Sequence, residues 1–171
     1  MAKPNTIYKT IILYLLDRSE CALSNLQISD FFLQEGFANY FKVQSILAEL
    51  IRLELINEQV THENTQYTIS EKGQETLSFS KDKLNHDLKN DIRLFFEQNQ
   101  MSFKLENSVF SDYRRIGPES YQVDLHIQDD GRDQLALQIN VHTKEQAEAI
   151  CNNWKNSSDE VFALLMDTLL K

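Results

Sequence analysis

The sequence predicts an α+β chain in three parts. A winged helix-turn-helix occupies residues 1–79, a connecting helix and linker 80–105, and a C-terminal α+β domain 106–171. In that last part a three-stranded antiparallel sheet carries two C-terminal helices. Three observations lead there. Apolar residues recur at helical spacing in three successive segments before Glu54. The period then drops to two through "LINEQVTHENTQYTIS", which reads as strand, polar turn, strand. Strict alternation returns in "SYQVDLHIQ" and "QLALQINV", joined by the turn signal "DDGRD".

The first helix follows Pro4-Asn5-Thr6, with Ile7, Ile11, Ile12, Leu15 and Leu16 on one face, and ends before the polar turn Asp17 to Glu20. Ser24 with Gln27 three residues on is a capping box; it opens a helix burying most of Leu26, Ile28, Phe31 and Phe32. Gly36 is the natural residue for the left-handed turn after that helix. A reader helix from about Asn39 to Leu53 places Val43, Ile46, Leu47 and Leu50 on its inner stripe. In the wing, Ile56, Glu58 and Val60 alternate, His62 to Thr65 turn, and Tyr67 and Ile69 alternate again. Ser70 is placed to cap a helix beginning at Glu71. From Lys81 to Glu97, Leu84, Leu88, Ile92 and Phe95 or Phe96 form a narrow stripe, suited to a connector or to packing on a partner.

In the C-terminal part, a strand around Val109 to Arg115 completes a three-stranded meander with the two alternating segments. Thr143 with Gln146 is a second capping box, opening a helix that buries Ala147, Ile150, Cys151 and Trp154. Ser157 with Glu160 opens a last helix through Val161, Leu164, Leu165 and Leu169. A sheet polar on one face and covered by two helices on the other is an α+β layer.

The chain has 171 residues, a net charge of −9, four Gly and two Pro, so long flexible linkers are not expected. The apolar run Thr10 to Leu16 is too short to span a membrane and leads into Asp17-Arg18 rather than a cleavage site. Cys21 and Cys151 form no C-x-x-C pair and suit a reducing, cytoplasmic setting. The negative charge opposes non-specific attraction to nucleic acid or anionic lipid. Asp129, Asp130 and Asp133 around Gly131 lack the spacing of a calcium loop and read as a hairpin turn. Asp124 and His126 share a strand face, but no nucleophile motif or Gly-rich loop accompanies them. No enzyme signature is present; no catalytic residue, cofactor or metal site is expected.

"QISDFFLQEGFANYF", "AELIRLELI", "YTISEKG" and "NVHTKEQAEAICNNWKN" resemble bacterial domain-of-unknown-function family 4364 over nearly the whole chain. The first half is also similar to winged-helix repressors of the PadR and MarR type. In those a L-x-x-L helix end and a Y-x-[IL]-[ST]-x-x-G joint recur, here Leu47 with Leu50, and Tyr67, Ile69, Ser70 and Gly73. The resemblance implies a DNA-binding transcription regulator. The departure is charge, since reader helices of those repressors are richer in Lys and Arg.

With its stripe inward, the reader helix turns Phe41, Ser45, Ala48 and Arg52 outward and puts Lys42 and Glu49 on the flank. The DNA-contacting candidates are therefore Asn39, Phe41, Lys42, Gln44, Ser45, Arg52 and Lys72. Lys42 and Arg52 would hold phosphates or guanine edges, Gln44 or Ser45 base edges, and Phe41 a thymine methyl. The wing tip His62-Glu63-Asn64 has no cation to place in a minor groove and reads as a solvated turn. Two functions are carried forward. One is a regulator that binds double-stranded DNA as a homodimer, through the Leu84, Leu88, Ile92 stripe or the last helix, with the C-terminal domain for dimerisation or sensing. The other is a protein–protein interaction module that uses the same exposed face without nucleic acid.

Overall fold

The computed structural model describes residues 4–19, 21–61 and 64–171, without the side chains of 101, 102 and 104–107. Contacts divide the chain into two compact units, one running through Val60 with Asn64–Asn99, the other Gln100–Lys171.

The first unit contains α1 (Pro4–Arg18), β1 (Leu23–Ser24), α2 (Asn25–Gln34), α3 (Tyr40–Arg52), β2 (Ile56–Val60), β3 (Thr65–Ile69) and α4 (Glu71–Ser80). A 3-10 turn at Lys81–Lys83 precedes α5 (His86–Ser108), which continues past Asn99. The strands form an antiparallel sheet in the order β1-β3-β2. The Ser24–Gln27 capping box is present in full. Gly36 takes φ +67, the left-handed value that ends α2. Asn39 caps α3 by accepting from the Lys42 backbone N–H, and Ser70 caps α4 by accepting from the Gly73 N–H. The core is aromatic where α1, α2 and the turn after α2 meet: Phe31 and Phe32 are fully buried and touch Phe37, and Tyr8 donates to the Phe37 carbonyl at 2.6 Å. Phe95 of α5 meets Phe31 edge-on at 5.2 Å between ring centroids.

Of the four apolar residues named for α2, Ile28, Phe31 and Phe32 are buried, and Leu26 is exposed in the first turn. Two expectations for this unit are revised. The stripe offered to a partner is largely used within the chain: Leu84, Ile92 and Phe95 are buried, and Leu88 is half-buried. The helix expected over Lys81 to Glu97 begins later and runs further, with Leu84 outside it in an extended conformation. The wing-tip expectation falls on His62 and Glu63, outside the described residues.

The second unit contains β4 (Val109–Gly117), β5 (Ser120–Asp129), β6 (Arg132–Val141) and α6 (Lys144–Leu169). The strands form an antiparallel meander, with Val123 opposite Tyr113 and Ile139, and Leu125 opposite Ser111 and Leu137. Asp130 and Gly131 make the β5–β6 turn with φ of 46 and 74, as a two-residue hairpin loop of primed type demands. Val123, Leu125, Ala147, Cys151 and Trp154 are the core, and Trp154 donates its indole N–H to the His126 carbonyl at 3.2 Å.

The two C-terminal helices are in fact one. α6 is continuous from the Thr143–Gln146 capping box to Leu169, and Ser158 is buried on its inner face. "NNWKNSS" holds weak helix formers but neither Gly nor Pro, so nothing forces a break where Trp154 and Ser158 pack one turn apart. α6 packs mainly over β4 and β5, leaving Leu135, Leu137, Ile139 and Val141 of β6 only partly covered. An open apolar cleft of about 320 Å³ lies there, lined by Leu137, Ile139, Ile150 and Val161 among others.

Candidate nucleic-acid interface

The inner stripe of α3 is Val43, Ile46, Leu47 and Leu50, all buried. Helical geometry then turns Phe41, Ser45, Ala48 and Arg52 outward, and all four are exposed, Phe41 at 80%. Phe41 meets Tyr40 edge-on at 6.0 Å, so two aromatic rings stand at the N-terminal end of this face. Asn39 spends its side-chain oxygen on the helix cap.

The flanks differ from what spacing alone suggests. Gln44 forms a reciprocal amide pair with Asn25 of α2, and its amide nitrogen also lies 3.5 Å from the Ser29 hydroxyl. Asn25 reaches the Tyr67 hydroxyl at 3.5 Å, so the network ties α2 and α3 to β3. Burial pushes the Tyr67 hydroxyl above its ordinary pKa, with Glu58 adding to the rise. Gln44 is thus committed to holding the helix pair, leaving Ser45 as the polar side chain on the outer face.

On the opposite flank, Glu49 accepts from the Lys9 ammonium of α1 at 2.5 Å. That hydrogen bond, with the positive fields of Lys9, Arg52 and Lys42, holds the Glu49 carboxyl below the usual carboxylate range. Glu49 is thus paired with Lys9 and lies in the field of two further cations of α3. Lys9 is the residue that sequence reasoning missed; it lies 40 positions from its partner, and no local pattern announces the pair. Lys72 lies 3.6 Å from Glu54, just beyond the C-terminal end of α3. Lys72 is carried by α4, and its ion pair is with Glu54 rather than with a residue of α3.

Elsewhere, His126 lies on the sheet face of the second unit opposite the Val123–Leu125 core face. It stacks on Phe110 at 4.6 Å and places Nδ1 3.1 Å from Asp133. Hydrogen bonds from Gln128 and His126 lower the Asp133 pKa. Among the described residues no group of three or more His, Cys, Asp or Glu side chains could hold a metal ion. None of the described helices is long and apolar enough to cross a membrane.

The family model described as Domain of unknown function (DUF4364) matches residues 8–169. No curated protein and no solved structure matches the chain.

Proposed function

We propose that this chain, which belongs to the DUF4364 family, is a winged-helix regulator that reads double-stranded DNA with α3. Three helices followed by the β2–β3 hairpin, with β1 completing a small sheet, support a winged helix. One observation carries the reading. The acidic residue on the flank of α3 is neutralised within the chain by Lys9, so the outward face meets a groove with Lys42 and Arg52 and without a bare carboxylate beside them. Phe41 stands where a thymine methyl would be met, and Ser45 where a base edge would be. With the Lys72 charge offset by Glu54, a dimer presenting Lys42 and Arg52 twice neutralises about four phosphates. The log–log salt slope on duplex DNA is then near −3.6. A titration with a slope near zero contradicts groove binding through these cations.

The reading includes a homodimer formed through the end of α6. Leu164, Leu169 and Leu170 are 65%, 73% and 75% exposed, and Met166 adds to them. A helix end that leaves this much apolar side chain exposed, with Asp167 and Lys171 beside it, escapes water by associating. Replacing Leu164 with Glu is expected to weaken the dimer on the order of a hundredfold, since a buried leucine contributes about 1.5–3 kcal/mol. Sedimentation of the wild type as a monomer at micromolar concentration overturns this part.

The exposed pair Tyr40 and Phe41 also favours a second reading, a protein partner docked on the same face. Capture of a protein that depends on Phe41, with no duplex binding, selects it.

A further inference from the structure

We propose that the Lys9–Glu49 ion pair governs a phosphate-contacting flank, in which Lys9 is a backbone-contact residue and Glu49 restrains its charge. This rests on the DNA-reading function proposed above and adds to it a residue outside α3. The pair sits half-exposed, with side-chain exposures of 22% and 36%, at the surface where α1 meets α3. Lys42 precedes Glu49 by two helical turns and Arg52 follows it by one, so all three lie along one side of α3. Arg52 is also part of the outward face. A duplex seated on that face runs its phosphate backbone past this flank. There Lys9, Lys42 and Arg52 offer three positive charges against the single negative charge of Glu49.

The local excess of two positive charges contrasts with the net charge of −9 over the chain. Such an arrangement limits affinity for arbitrary sequence: phosphate contacts supply non-specific binding, and Glu49 removes one of them. Base-edge and methyl contacts from the outward face then decide where the protein stays. Opposite signs follow for the two halves of the pair. Removing the Glu49 charge frees Lys9 for phosphate and strengthens binding to any duplex. Removing Lys9 leaves Glu49 bare beside the backbone and weakens it. Removing both restores the wild-type charge balance.

The test is a double-mutant cycle read by fluorescence anisotropy, with a labelled duplex pool of randomised sequence in low salt as the probe. Glu49→Gln is expected to tighten binding and steepen the salt slope by about 0.9 per copy of the chain. Lys9→Ala is expected to weaken binding, and Lys9→Ala with Glu49→Gln to return to near the wild-type affinity. Circular dichroism melts of the four proteins confirm that each is folded. If the wild type binds and Glu49→Gln changes neither affinity nor slope, this flank is remote from the phosphates and the inference falls while the DNA reading stands. If neither wild type nor Glu49→Gln binds the pool or any selected fragment, both fall. Binding that emerges only in Glu49→Gln supports the inference.

Discussion

Replacing Trp154 with Ala is expected to destabilise the second unit by about 3–5 kcal/mol, a large part of what a small domain has. Trp154 is buried at the centre of the cluster formed with Val123, Leu125, Ala147 and Cys151. Its indole N–H is bonded to the His126 carbonyl. The substitution removes the ring, leaves a cavity under a sheet already thinly covered at β6, and strips that carbonyl of its donor. Trp154→Phe keeps much of the packing and loses chiefly the hydrogen bond, so its cost is expected at about 1–2 kcal/mol. Because Trp154 is the only tryptophan, its fluorescence follows unfolding of this unit in the wild type, and far-UV circular dichroism serves for the variants. An Ala variant that melts within about 0.5 kcal/mol of wild type contradicts the packing described.

Gly73→Ala is expected to cost about 3 kcal/mol or more, although helix propensity alone predicts the opposite sign by about 1 kcal/mol. A Cβ at Gly73 would stand 2.0 Å from the Leu55 carbonyl oxygen and 2.9 Å from Ile69 Cγ1. The first of these is backbone and already accepts from the Ser70 N–H, while the Ser70 hydroxyl donates to the Glu54 carbonyl. α4 can make room only by breaking its own anchorage. Gly36→Ala serves as the comparison. Its site is open and its φ is +67, so only conformational strain of about 1–2 kcal/mol applies. Urea melts in which Gly73→Ala is neutral or stabilising would show that α4 does not approach the Leu55 carbonyl this closely.

The joint around Gly73 shows how far local residues carry the fold. Tyr67, Ile69, Ser70 and Gly73 were legible as a strand-to-helix joint. The structure gives each a reason: Tyr67 is buried, Ser70 caps the helix, and Gly73 admits the Leu55 carbonyl against Ile69. The capping boxes at Ser24 and Thr143 were legible because their partners lie three residues away. β1 was not, since two residues cannot display a period; it exists because Leu23 and Ser24 pair with Tyr67 and Gln66. The continuity of α6 was hidden by a locally polar stretch whose helical state is decided by Trp154 and Ser158 packing on the sheet. At the candidate interface, the outward face of α3 followed from its 3.6-residue period. The commitment of Gln44 to Asn25, 19 residues away, and of Glu49 to Lys9, 40 residues away, did not. Such tertiary pairs leave no local signature. They alter the reading of the flanks most: one candidate base contact is occupied within the chain, and the carboxylate that opposed DNA binding is neutralised.

Selection of genomic fragments at low salt, with wild type and the Lys42→Ala, Arg52→Ala double variant run in parallel, tests the central claim most directly. Both side chains lie on or beside the outward face of α3, outside its buried stripe, so the variant is expected to fold as the wild type does. The result expected is a set of fragments enriched by the wild type and lost in the variant, with a shared sequence feature spaced for a two-fold dimer. No enrichment by the wild type, together with a protein partner whose capture is abolished by Phe41→Ala, contradicts a DNA-reading α3 and assigns its exposed face to protein binding.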